Sequence, residues 1–355
     1  MPAGAHDAIA LGLPSVFCDW VFHVLRDFCE LAPERATIQV MDREDQATHD
    51  ADRPPVVYLS HFPGASLRAE WAKAEAPILL CLDDPVDAVR FAKEGGQPSV
   101  VGALRVQTAA AASFVELRDH PRVLILHRFT EAPAIAIVDT ILDHLGLKPT
   151  VEQRDAIYSR RIGREHAEAS LESALAFAGQ HYIPLVEPQT ALDPKQAAMV
   201  ADVLSPLIQM IIRDSARPVI WPIETFFSGD RPDMPAPLTM DLTGGARILY
   251  YGPYFYLPAG VWKVRMMVGF SAEARSLPFS TEVYSGEQLL AVATMVPENK
   301  GVYHATFSFA HEVVDRAIEV RLRTDRGAIE GQVALGRVEF TRDDSEGRVP
   351  RAAAG

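Results

Sequence analysis

The chain has 355 residues, more than a single hydrophobic core usually supports, so two domains are the default expectation. A formal net charge of -13 argues against a broad electrostatic grip on nucleic acid or anionic lipid, and 48% hydrophobic with 23% charged residues is an ordinary globular composition. Three cysteines, Cys18, Cys29 and Cys81, lack zinc-ligand spacing and are odd in number, which fits a disulfide framework poorly and favours a reducing, cytoplasmic setting.

Residues 7–13 read as a buried strand that breaks at Gly12-Leu13-Pro14-Ser15, after which Phe17, Trp20, Val21, Val24, Leu25 and Phe28 recur at helical spacing. The opening apolar run follows His6 and Asp7 instead of a Lys/Arg-rich segment, so it reads as a strand and not as a signal peptide. Further strands are expected at 36–40, 56–59 and 77–82, with helices at 67–74 and 85–94. A strand at 122–126, a helix at 133–145 closed by Gly146, a long charged helix at 151–177 and an amphipathic helix at 194–214 complete an α/β domain over residues 1–215. Strands alternating with helices indicate a parallel sheet covered on both faces. No apolar stretch approaches the roughly 20 residues of a membrane span.

Residues 216–240 are proline-rich and read as an ordered linker. Beyond them the period becomes two: Trp262, Val264, Met266, Val268 and Phe270 alternate with Lys263, Arg265 and Met267, and Ile318, Val320 and Leu322 alternate with Glu319, Arg321 and Arg323. One face is dry and the other wet, so residues 241–341 are expected to form an antiparallel β-sandwich, followed by a frayed polar tail at 342–355. The fold class is therefore α/β plus all-β.

A strand entering a tight loop and then a helix is where α/β proteins bind phosphate, because free N–H groups at the helix start point outward. Gly12-Leu13-Pro14-Ser15-Val16-Phe17-Cys18-Asp19-Trp20 resembles the opening loop of the sulfotransferase family. Leu59-Ser60-His61-Phe62-Pro63 resembles its Thr-His-Leu-Pro segment, Cys81-Leu82-Asp83-Asp84-Pro85-Val86-Asp87-Ala88-Val89 its second nucleotide segment, and residues 123–147 its later strand and helix. The resemblance implies a three-layer P-loop fold, a site at Pro14, Ser15, Cys18 and Asp19 for 3′-phosphoadenosine 5′-phosphosulfate, and His61 as general base.

The departures from that pattern matter. Ser15 stands for the basic residue that grips the phosphosulfate, Phe17 for the loop glycine, and Cys18 and Asp19 for the hydroxyls. Asp83 stands where the family keeps an arginine for the 3′ phosphate, and Phe91 near its serine. A carboxylate and a bulky ring oppose a close anionic phosphate. His61 then reads either as the base or as an ordinary strand-end histidine. Arg160 and Arg161 form a basic cluster that would receive an anion or would belong to a salt-bridged helix face with Glu165, Glu168 and Glu172. Asp83, Asp84 and Asp87 read as helix-start residues and not as a metal site.

The sandwich opens with the aromatic cluster Tyr250-Tyr251-Gly252-Pro253-Tyr254-Phe255-Tyr256. In architecture it resembles the jelly-roll accessory modules of glycan-metabolising enzymes. That resemblance implies sugar stacking on Tyr251, Tyr254, Tyr256 and Trp262, since flat apolar rings match the C–H faces of pyranoses. The same rings also suit core packing, and Trp262 begins an alternating apolar face. The reading is a non-catalytic or altered sulfotransferase-like protein, without a cofactor, that binds glycan or assists polysaccharide synthesis. A sulfuryl transferase using His61, and a structural interaction protein, are the alternatives. A homo-oligomer is left open.

Overall fold

The computed structural model describes residues 7–41, 54–163, 168–181, 191–213 and 217–343. The chain divides into two compact units, residues 1–197 and 198–355.

The first unit runs β1 (Ala8–Gly12), α1 (Val16–Leu31), β2 (Thr37–Val40), β3 (Val56–Ser60), α2 (Ala65–Trp71), β4 (Ile78–Leu82), α3 (Pro85–Glu94), α4 (Val100–Val115), β5 (Val123–His127), α5 (Ala134–His144), α6 (Val151–Arg161) and α7 (Leu171–His181). Its sheet has the order β2-β3-β1-β4-β5 with parallel pairing throughout. β1, β3 and β4 are buried along their whole length, as strands covered on both faces must be. The unbroken apolar runs Ala8-Ile9-Ala10-Leu11 and Ile78-Leu79-Leu80 are the sequence form of that burial. α1 turns Phe17, Trp20, Val21, Val24, Leu25 and Phe28 into one core, and α5, α6 and α7 add Ile137, Ile141, Ile157, Leu171 and Leu175 to it.

The single helix expected over 151–177 is two helices. α6 stops at Arg161, and Gly163 follows at φ +109°, a left-handed conformation that ends helices. α4 went unread because its alanine run 109–112 carries no amphipathic stripe; all four alanines are buried.

Helices α8 (Pro194–Val203) and α9 (Ser205–Arg213) straddle and follow the boundary at residue 197. Contrary to the expectation that no apolar stretch approaches a span, together they form a 20-residue run with mean hydropathy 1.2, long and apolar enough to cross a membrane by length and composition, of which 44% is buried within the protein.

The second unit continues with β6 (Val219–Pro222), β7 (Phe227–Ser228), β8 (Thr239–Asp241), β9 (Ile248–Phe255), β10 (Gly260–Phe270), β11 (Phe279–Ser285), β12 (Gln288–Met295), β13 (Gly301–His311), β14 (Ile318–Thr324) and β15 (Gln332–Arg342). One sheet is β13-β10-β15-β6 with β8 also on β15, the other β12-β11-β14-β9-β7. Every pairing between these strands is antiparallel. The dry faces meet: Trp262, Val264, Met266 and Val268 lie opposite Phe279, Val283, Val320 and Leu322 in a sealed core.

Residues 217–240 are not a linker. They supply β6, β7 and β8, and Trp221 is fully buried with its ring 4.1 Å from that of Phe340. Prolines suit such positions because β6 and β7 are the edges of their sheets, where a missing N–H costs no ladder bond. The expected tail beyond residue 343 lies outside the described residues, as do Arg164 and Glu165.

Candidate functional site

The strand order places β1 beside β4, and their onward connections leave in opposite directions, toward β2 and toward β5. Such a switch point opens a crevice at the carboxyl ends of the two strands. The loop Gly12 to Ser15 and the residue Asp83 stand there.

Ser15 is the N-cap of α1: its Oγ accepts from the Cys18 N–H at 3.2 Å. The Phe17 N–H donates to Asp83 Oδ2 at 3.3 Å, and the Ser15 hydroxyl also bonds that carboxylate. Leu13 N–H goes to the Cys81 carbonyl and Asp19 N–H to the Ser15 carbonyl, each within 3.1 Å. The N–H groups of Leu13, Phe17, Cys18 and Asp19 are thus bonded within the chain. Pro14 contributes its carbonyl, which accepts from Gln107 Nε2 at 2.8 Å. A methyl at Gly12 would meet Cys18 Sγ at 2.3 Å, so the loop is packed directly onto the helix start.

Asp83 is completely buried, and burial holds its carboxyl above the usual range against the lowering pull of Arg128. Arg128 Nη1 reaches Asp83 at 3.4 Å and Asp87 at 2.6 Å, while Nη2 reaches Glu172 at 3.2 Å. Asp84, not Asp83, caps α3, accepting from Val86 and Asp87 N–H. Asp83 therefore supplies an acceptor to the N-terminus of α1 from inside the chain.

Around this loop the remaining candidates sit as follows. Cys18 is buried, and burial together with Cys81 pushes its thiol well up, so it offers no thiolate. His61 Nδ1–H donates to the Gly12 carbonyl at 2.8 Å, and Nε2 lies 3.8 Å from Asp19 Oδ1. Burial raises the Asp19 carboxyl, opposed by His61, His23 and Arg26. Arg160 and Arg161 are both engaged by carboxylates of α1. Arg161 is buried with Asp27, which it engages through Nε and, at 2.7 Å, through Nη2; Arg160 joins Asp27 and Glu30. Buried next to a carboxylate, a guanidinium has its charge already matched.

In the second unit the aromatic candidates separate. Trp262 does not stack on ligand: it is 0% exposed, and its Nε1–H donates to the Pro258 carbonyl at 2.9 Å. Its place on the dry stripe of β10 explains this. Tyr256 follows β9 and is half-buried. Tyr251 and Tyr254 lie on the wet face of the β12-β11-β14-β9-β7 sheet, with ring centroids 6.3 Å apart.

Three further side chains complete that face. Phe227 lies 5.5 Å from Tyr251, Arg321 pairs in register with Tyr251, and the Arg321 guanidinium sits 4.2 Å over the Tyr284 ring. Glu319 ties the row together, accepting from Tyr254 Oη at 3.1 Å and from Arg321 Nε and Nη2 at 2.9 Å each. Burial and Glu319 push the Tyr254 hydroxyl up to about 12. The result is a line of half-exposed rings stiffened by a bidentate ion pair. Sequence reading missed Phe227, Tyr284 and Arg321, although the alternation of Glu319, Arg321 and Arg323 already marks the wet face of β14.

No protein-family model matches the chain, and no curated protein does. Solved structures match parts of it. A cyclase from Fischerella sp. TAU, in complex with 4-(1H-indol-3-yl)butan-2-one, is 15% identical with a TM-score of 0.22, over 28% of this chain and 57% of that one. The CBM36-1 domain of a multidomain xylanase from the hindgut metagenome of Trinervitermes trinervoides is 9% identical, TM-score 0.26, over 36% of this chain and 98% of that one. The C-terminal CBM6 of LamC, a marine laminarinase from Zobellia galactanivorans, is 13% identical, TM-score 0.25, over 36% of this chain and 100% of that one. The match thus spans little more than half of the cyclase's length. At such similarity none of these likenesses bears on function.

Proposed function

We propose that this protein binds glycan through the wet face of its second unit, and that its first unit is a sulfotransferase-like P-loop domain whose anion site has been closed from within. The observation that carries the glycan reading is the row Tyr284, Arg321, Tyr251 and Phe227, with Tyr254 beside it, held on one sheet face by Glu319. Half-exposed rings at fixed spacing offer apolar faces to sugar C–H groups, and the partly exposed Arg321 guanidinium among them offers N–H donors to hydroxyls. The closed-site reading is supported by Asp83, whose carboxylate accepts the Phe17 N–H at the start of α1, where an anion would otherwise be favoured. In this reading His61 anchors the β1 loop through Gly12 and does no chemistry.

A glycan array probed with the full chain, followed by calorimetry on the retained sugars, tests the first part. Binding that falls about tenfold or more in Tyr284→Ala and Arg321→Ala supports it, as loss of a stacking or charged contact at a binding site would produce. A blank array, or binding indifferent to both substitutions, overturns it.

A further inference from the structure

Between β7 and β8 the chain encloses a cleft of about 320 Å³, lined among others by Ser228, Asp230, Met234, Pro235, Thr239 and Asp241. β7 is the edge of one sheet, and β8 lies on β15 of the other, so the cleft opens at the side of the sandwich. Its walls are held by the chain's own bonds. Ser228 N–H donates to the Met234 carbonyl at 3.0 Å, Ala236 N–H to that of Phe226 at 2.9 Å, and Gly229 N–H to that of Leu249 at 2.7 Å. Arg247 grips Asp230 Oδ1 at 2.6 Å through Nε and the Asp241 carbonyl at 2.7 Å through Nη2.

The chemistry of the lining selects a ligand class. Asp230, Asp241, Ser228 and Thr239 accept hydrogen bonds, and Met234, Pro235, Pro237 and Met240 give an apolar wall. Hydrogen bonds from Thr243 hold the Asp241 carboxyl below its ordinary range, so the cleft is lined by carboxylate at neutral pH. Arg247 is already matched by Asp230. Arg231, which is exposed, lines the cleft as well, so both signs of charge face the ligand, and a neutral polyol that donates to carboxylate and accepts from guanidinium is favoured. The volume lies at the small end of the range for ligand sites.

The cleft neighbours the aromatic face through β7, although no aromatic ring lines it. Asp233 N–H donates to Tyr251 Oη at 2.9 Å, and Phe227 bridges both to Tyr251 and to Pro235. We infer that the cleft between β7 and β8 seats the terminal ring of a neutral glycan chain, whose next rings lie on Phe227 and Tyr251. This inference rests on the glycan-binding reading above and makes it one of chain-end recognition.

The test is an affinity series on the full chain with neutral xylo-, gluco- and galacto-oligosaccharides, each as trisaccharide and hexasaccharide, and with a cyclic glucan that has no end. Thr239→Trp and Met234→Arg place bulk at the cleft from exposed positions, so either one reports if the other fails to fold. Both are expected to weaken linear sugars about tenfold or more with the circular dichroism spectrum unchanged, and the cyclic glucan is expected to bind no better than those variants do. If the sugars bind, depend on Tyr284 and ignore both cleft substitutions, chain-end recognition is wrong while glycan binding stands. If the unsubstituted protein takes none of these sugars, both readings fall.

Discussion

Asp83 accepts the backbone N–H of Phe17 at 3.3 Å, so the N-terminus of α1 meets a carboxylate of its own chain. Asp83→Ala leaves that buried donor without its acceptor, which costs about 1–3 kcal/mol, the usual penalty for an orphaned polar group. Asp83→Asn keeps an acceptor and removes a charge that burial already disfavours, so its cost is expected to be smaller. Denaturant midpoints of the two variants check the order. Equal losses would show that charge, and not the acceptor, holds the loop. Calorimetry with adenosine 3′,5′-bisphosphate is expected to give no binding heat, and micromolar affinity would overturn the closed site.

The second unit is expected to lose stability in mild acid through His311. The residue is 1% exposed, and neither ring nitrogen has a hydrogen-bond partner of normal geometry among the described residues. Burial pulls its pKa from 6.5 down to about 4, with the Leu257 backbone opposing. A base whose folded pKa is depressed contributes stability above its unfolded value, and this is lost as pH falls from 6.5 toward about 4. Over 2.5 units the loss is of order 3 kcal/mol. Amide exchange along β13, compared at neutral pH and at pH near 4, should show the loss in the natural chain and not in His311→Leu. An identical acid response in both would remove His311 as the cause.

Much of the architecture was legible because periodicity reports burial. The unbroken apolar runs marked β1 and β4, and the period of two marked β10 and β14. What stayed hidden depended on partners distant in sequence. The prolines of 217–240 concealed edge strands whose pairing with β15 and β9 only the fold supplies. Asp83 and Asp84 look alike in sequence, yet one caps α3 and the other turns to Phe17. Arg161 read as half of a basic cluster because its neutraliser, Asp27, lies 134 residues away. Tyr284 and Arg321 gained meaning only once β11 and β14 were side by side.

Trp262→Ala distinguishes the core from the sugar-facing surface. The ring is fully buried between the sheets, so truncation is expected to cost about 3–5 kcal/mol through a cavity and the orphaned Pro258 carbonyl. Tyr284→Ala, on the wet face, is expected to cost much less. Melting of the second unit, followed by the near-ultraviolet signal of its tryptophans, ranks the two. A Trp262 variant as stable as the Tyr284 variant would contradict the packing described above.

The buried pair of Asp27 and Arg161 offers a test of what holds α1 against α6. Arg161 also presents its carbonyl to Trp20 Nε1 at 3.0 Å, so the ion pair and a core ring share one helix end. Replacing one partner strands the other charge where exposure is 2% for Asp27 and 7% for Arg161, a loss of about 3–5 kcal/mol. Replacing both with apolar residues of similar volume removes the stranded charge along with the attraction. Asp27→Leu with Arg161→Met is therefore expected to recover most of the stability that either single substitution loses. Because Trp20 bonds to the backbone of Arg161, that contact survives in all three variants, and the Arg160 contact to Asp27 is lost equally in the Asp27 single and the double variant. Additive losses in the double variant would mean that the two side chains act independently and that their contact is not what fixes the packing of α1 on α6.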